Sequence, residues 1–167
     1  MRQRARSALS VMFTLVLAGC AAQSGSGGVS ASATAADRSG AVAPAIAPNP
    51  NEFVATGDLK DIHFDFDKYE IRPSDGKILD ANATWLKANP RNLILIEGFS
   101  DERGTNEYNL ALSERRARIA MNYLVGQGVQ ADRFTVTAYG RERALCTEHN
   151  DACWAANRRV HFLTKAQ

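Results

Sequence analysis

Leu93-Ile94-Leu95-Ile96-Glu97-Gly98-Phe99-Ser100-Asp101-Glu102-Arg103-Gly104-Thr105-Asn106-Glu107-Tyr108-Asn109-Leu110-Ala111-Leu112-Ser113-Glu114-Arg115-Arg116-Ala117 is the stretch on which the fold turns. Its unbroken apolar run, Leu93 to Ile96, predicts a central strand covered on both faces. The turn from Gly98 to Gly104 ends that strand, and a helix from about Asn106 to Val125 follows. At 100° per residue, Tyr108, Leu112, Ile119 and Tyr123 fall on one flank of the apolar face. Leu110, Ala117, Met121 and Leu124 fall on the other, with Asn109, Ser113 and Arg116 between them. Arg115, Arg118 and Asn122 point toward solvent. An inward guanidinium without a partner costs several kcal/mol, so Arg116 calls for one. Two readings stand side by side. In the first, Arg116 and Asp101 form an internal ion pair that fixes the helix to the turn. In the second, both face a cleft and grip the two ends of a zwitterion, Asp101 taking an ammonium group and Arg116 a carboxylate. The strand-to-helix loop, near the positive end of the helix, favours the second.

The elements on either side follow from pattern. Asp61-Ile62-His63-Phe64-Asp65-Phe66 alternates and reads as a strand. Pro73 opens a helix with Ile78, Leu79, Trp85 and Leu86 on one side, and Asn89-Pro90 closes it. Gly126-Gln127-Gly128 supplies a left-handed stop for the long helix. Phe134 to Tyr139 and Val160 to Leu163 are further strands. Strand, helix, strand, helix, strand and a final strand predict an α/β sandwich, with helices packed on a mixed sheet. About 115 residues suit one domain, placed at 52–167.

Gly98-x-x-Asp101-x-x-Gly104 followed by Asn109-x-x-Leu112-Ser113-x-x-Arg116-Ala117 resembles the signature of OmpA-like peptidoglycan-binding domains. Ile62-His63-Phe64-Asp65-Phe66-Asp67-Lys68 and Asp101 to Asn109 are most similar to that family's lipid-anchored, Tol-associated members. The likeness covers roughly residues 59 to 165. It implies non-covalent binding of the diaminopimelate residue of the peptidoglycan stem peptide, with Asp101 and Arg116 as the clamp. It brings in Phe66, Asp67 and Lys68 from the first loop, and Arg103, Asn109 and Leu112 from the motif. It also implies Tol partners, above all the propeller protein TolB, on a surface overlapping the wall site.

The N-terminus reads as an address. Arg2, Arg4 and Arg6 precede a short apolar core, Ala8 to Leu17, too short to span a bilayer. Leu17-Ala18-Gly19-Cys20 resembles a lipobox, which implies a signal peptide at 1–19 and lipidation of Cys20; a plain secretory signal is the other reading. Acylation adds about 0.8 kcal/mol of membrane affinity per buried methylene. Ala21 after the cysteine, not aspartate, points to the outer membrane, with the domain facing the periplasm. Residues 20–51, rich in Ala, Ser, Gly and Pro, read as a flexible tether that reaches on the order of 100 Å when stretched.

The chain carries 20 Lys+Arg and 18 Asp+Glu. Loss of the signal removes three arginines and leaves 17 bases against 18 acids, a balance unsuited to nucleic acid. Cys146 and Cys153 predict a loop-closing disulfide worth about 2–3 kcal/mol. A metal site of both thiols with His149 is the alternative, and it lacks a fourth ligand. His63 and His161 sit in strand patterns as packing or surface residues. Asp65 and Asp67, on one strand face, have no raised-pKa setting for hydrolysis. Asn157-Arg158-Arg159 either matches a family feature near the last strand or only braces the sheet. No nucleophile elbow, zinc helix or phosphate loop occurs, and no cofactor is called for. The resemblance thus implies a peptidoglycan-binding, lipid-anchored Tol-system protein. The alternatives are an OmpA-like wall-binding lipoprotein without a Tol role and, further off, a wall-modifying enzyme.

Overall fold

A computed structural model of the chain describes residues 49–166. The signal peptide predicted at 1–19, the lipidation predicted at Cys20 and the predicted tether as far as residue 48 fall outside the described residues. Five strands form one mixed sheet: β1 (Val54–Ala55), β2 (Ile62–His63), β3 (Asn92–Phe99), β4 (Phe134–Gly140) and β5 (Arg159–Ala166). Helix α1 (Pro73–Ala88) connects β2 to β3, α2 (Asn106–Gly126) connects β3 to β4, and α3 (Asp151–Asn157) precedes β5. The sheet order is β1-β5-β3-β4, with β2 also paired to β5. Strands β3 and β4 run parallel, Ile94 opposite Phe134 and Gly98 opposite Ala138, as a helical crossover requires. Strand β5 returns antiparallel, Asn92 opposite Ala166 and Gly98 opposite Val160. This is the α/β architecture the pattern predicts.

The core lies between α1, α2 and one face of the sheet. Leu79, Ala83 and Leu86 of α1 and Ala117, Ala120 and Leu124 of α2 meet Ile94, Ile96, Val160 and Phe162. On the other face of β3, Leu95 and Phe99 are also buried. There Phe99 stacks on Tyr139 with centroids 5.5 Å apart, and the Arg159 guanidinium lies 3.9 Å from its ring centre. Helix α2 is capped by Thr105, whose hydroxyl accepts the Tyr108 N–H at 3.2 Å. It ends at Gly126, and Gly128 just beyond adopts φ +93°.

One close approach sets the geometry that follows. A Cβ on Gly98 would stand 2.0 Å from the Ser113 carbonyl oxygen, so α2 rests its backbone directly on β3 at that glycine. The same contact fixes Asn109, Leu112 and Arg116 against the end of β3.

Several expectations are corrected. The strand predicted over 61–66 is reduced to Ile62–His63, because the chain turns where the Lys68 N–H donates to the Asp65 carbonyl at 3.2 Å. Asp67 takes φ +58° in that turn, so Asp65 and Asp67 do not share a strand face. Tyr108 and Leu110, expected on the apolar face, are half exposed: Tyr108 turns its hydroxyl to Asp67 at the rim of the site, and Leu110 borders solvent beside Tyr139 and Arg141 at the edge strand β4. Strand β1 and helix α3 were not anticipated.

Candidate ligand-binding site

Four segments converge at the end of β3. The strand delivers Ser100 and Asp101, the turn after β2 delivers Phe66 and Asp67, α2 delivers Tyr108, Asn109, Leu112 and Arg116, and the end of α3 delivers Arg158. Together with Arg103 and Gly104 they line a hollow of about 200 Å³.

Arg116 is wholly buried, as its position on the helix predicts. Its partners are backbone carbonyls: Nε donates to Lys68 at 2.8 Å, Nη1 to Phe99 at 3.1 Å and Nη2 to Asp65 at 3.2 Å. Burial lowers its pKa to about 10, with Asp101 acting in the opposite direction, so it stays charged at neutral pH. The ion pair between Arg116 and Asp101 that the sequence allows is not formed. The guanidinium is taken up by the carbonyls of the β2–α1 turn and the end of β3, while other arginines reach Asp101 first. Arg103 Nη2 donates to Asp101 Oδ2 at 2.6 Å and Arg158 Nη1 donates to the same oxygen at 3.1 Å. The Arg103 N–H donates to Oδ1 at 3.2 Å. Burial pushes the Asp101 carboxyl up, but these hydrogen bonds outweigh it and hold it below the ordinary carboxylate range.

Of the residues predicted for the site, Asp101, Arg116, Phe66, Asp67, Arg103, Asn109 and Leu112 all line the hollow. Lys68 does not; its carbonyl, not its ammonium group, serves the site by accepting from Arg116. Asn109 Nδ2 donates to the Arg103 carbonyl at 2.8 Å and steadies the turn. The Tyr108 hydroxyl donates to Asp67, linking α2 to the first loop across the rim.

Sequence reasoning missed Ser100, Gly104, Tyr108 and Arg158. Arg158 had a signal in the Asn157-Arg158-Arg159 run, which the sequence leaves between a family feature near the last strand and a brace for the sheet. Its Nε does brace, donating to the Phe64 carbonyl at 2.9 Å, while Nη1 serves Asp101. Cys146 and Cys153 are disulfide-bonded. Asn157 anchors the loop they close: its Oδ1 accepts the Leu145 N–H at 2.8 Å, and its Nδ2 donates to the Cys146 carbonyl at 2.7 Å. His149 turns to Glu102, Nδ1 to Oε1 being 2.6 Å, not to the sulfurs. Among the described residues no group of three or more metal-ligating side chains is assembled.

Comparison with known proteins places these features in company. The model of the OmpA family matches residues 63–158. The peptidoglycan-associated lipoprotein of Pseudomonas aeruginosa is 37% identical over 154 residues, 88% of this chain and 89% of that protein. That of Haemophilus influenzae is 44% identical over 99 residues, 59% of this chain and 65% of that protein, so the match stops just short of two thirds of its length. The crystal structure of the peptidoglycan-associated lipoprotein from Burkholderia pseudomallei superposes with a TM-score of 0.62 at 37% identity, covering 64% of this chain and 90% of that one. The C-terminal domain of Helicobacter pylori MotB, at 18% identity and a TM-score of 0.61, shares the fold; the match covers 65% of this chain and 86% of that one.

Proposed function

Because the chain belongs to the OmpA family, we propose that it is an outer-membrane lipoprotein whose periplasmic domain binds peptidoglycan without covalent chemistry, through the diaminopimelate residue of the stem peptide. The observation that carries this reading is the charge layout of one hollow. Asp101 offers a carboxylate to an ammonium group, while Arg116 and Arg158 present guanidiniums to a carboxylate. A dipolar amino acid with a free amine and a free carboxylate satisfies both walls. Phe66 and Leu112 supply apolar surface for its methylene chain.

Arg116 contributes chiefly by building the site. With three donors committed to carbonyls, it holds the β2–α1 turn against β3 and lends the hollow its positive potential. Arg158 spends one nitrogen on a carbonyl and one on Asp101, so its remaining Nη2 is the better placed to donate to a ligand carboxylate. The lipid on Cys20 anchors the protein in the outer membrane, and the tether carries the domain to the wall. The likeness to peptidoglycan-associated lipoproteins supports a place in the Tol-Pal system, with TolB as a partner and a role in envelope integrity during cell division.

Cosedimentation of the purified chain with sacculi tests the central reading. Wild type is expected in the pellet, Asp101→Ala should weaken retention roughly tenfold or more, and Arg115→Ala, exposed and outside the lining of the hollow, should leave it unchanged. Equal retention of all three would refute the assignment. Release of soluble muropeptides during the incubation would favour a wall-modifying enzyme, and failure to recover TolB in a pull-down would favour a wall-binding lipoprotein outside the Tol system.

A further inference from the structure

Arg103 is placed unlike any other residue of the hollow. Its guanidinium carbon lies 3.8 Å from the centre of the Phe66 ring and 4.4 Å from that of Trp154, so two aromatic faces hold one cation between them. Its Nη2 meets Asp101 Oδ2 at 2.6 Å, while its buried Nε has no hydrogen-bond partner. Its side chain is one-third exposed, and Phe66, the outer of its neighbours by exposure, is more than half exposed. A side chain in that position can leave without unpacking the core.

Charge gives the arrangement a meaning. The lining holds two carboxylates, Asp67 and Asp101, against three guanidiniums, Arg103, Arg116 and Arg158. Arg116 is locked by carbonyls, and Arg158 is tied to the Phe64 carbonyl. Arg103 alone is held only by the carboxylate and the two rings. With Arg103 swung out, the remaining charges balance, and Asp101 Oδ2, still accepting from Arg158, regains room for another cation. We infer that Arg103 occupies the ammonium seat of the site as an internal stand-in, and that the ammonium group of a dipolar ligand binds by displacing it. Arg103 is thereby a specificity-determining residue. A ligand with carboxylates alone leaves it in place and gains from three guanidiniums, whereas a zwitterion must compete with it.

The inference rests on the zwitterion reading of the hollow, and the test separates the two. The full-length chain in detergent is titrated with meso-diaminopimelate and with pimelate, the same carbon skeleton with two carboxylates and no amine, following chemical shifts. Arg103→Gln is expected to raise the preference for diaminopimelate over pimelate roughly tenfold, the order of one partly exposed charge contact plus its aromatic partners. Arg103→Lys, which keeps the charge but loses the planar stacking and fork, should fall between. Matching unfolding midpoints show that each variant is folded. A preference that is unchanged or reduced in Arg103→Gln overturns the inference, because Arg103 then acts as a direct ligand contact. If wild type binds neither diaminopimelate nor sacculi, the zwitterion reading itself fails and this inference falls with it.

Discussion

Replacing Gly98 by alanine adds one methyl group at the point where helix and sheet touch most closely. That carbon would lie 2.0 Å from the Ser113 carbonyl oxygen, 2.8 Å from the Ser113 carbonyl carbon and 3.3 Å from the Ala117 Cβ. The first two are backbone atoms in the middle of α2, so no rotamer change relieves them. The helix must withdraw from β3 by roughly 1 Å or more, and a close-packed interior does not yield that freely. Two effects oppose each other. Alanine restricts the unfolded chain and so stabilises by about 0.4–1 kcal/mol where the native backbone tolerates it. Overpacking a filled interior costs about 1–3 kcal/mol, and a contact with fixed backbone belongs at the upper end. The net expectation is a loss of about 2 kcal/mol or more. Asn109, Leu112 and Arg116 ride on the displaced helix while Asp101 stays with β3, so sacculus binding should fall beyond what unfolding explains. Urea unfolding followed by circular dichroism measures the first effect, and cosedimentation at a temperature where the variant is fully folded measures the second. Stability within about 0.5 kcal/mol of wild type would refute the reasoning, since it would mean that α2 does not bear on Gly98 as described.

Arg116→Met keeps much of the side-chain volume but strands three carbonyls, each worth about 1–3 kcal/mol when left unpaired. A loss of at least about 3 kcal/mol is expected in thermal or urea unfolding, against less than about 0.5 kcal/mol for the exposed neighbour Arg115→Met. Asp101 should govern part of the acid limb of stability. Its folded carboxyl titrates below the unfolded value of about 3.9, so its contribution is complete above that value and lost as pH falls through the lower folded one. Asp101→Asn should therefore flatten the dependence of unfolding free energy on pH below about 4, and an unaltered acid limb would count against the two arginine contacts.

The elements that the sequence made legible are those whose signal is carried by their own residues. The apolar run of β3, Pro73 at the head of α1 and Gly128 beyond α2 each declare a local backbone preference, and each lies where it was expected. The helical stepping that turned Arg116 inward was equally local. What escaped was set by tertiary partners. Helix α3 has only seven residues and depends on Asn150 as its cap, whose side chain accepts the Cys153 N–H at 2.9 Å, and on the disulfide beside it. The disulfide was expected from the two cysteines, but not that the loop it closes runs into a helix. The choice of partner for Arg116 was likewise undecidable from the helix alone. It depends on where the Asp65–Lys68 turn directs its carbonyls, and on Arg158 arriving 57 residues after Asp101 to claim the carboxylate. Tyr108 and Leu110 were misread because periodicity reports a helical face, not what covers it: Tyr108 lies at the rim of the hollow and Leu110 over the edge strand β4.

Strand β5 follows the other four strands along the chain, yet three of the four strand pairings need it. Without residues 159–166, β1 and β2 have no partner strand among the described residues and β3 is paired on one edge only. Arg158, at the threshold of that strand, completes the wall around Asp101. A polypeptide cut short before Arg158 therefore lacks both an inner strand of the sheet and one wall around Asp101.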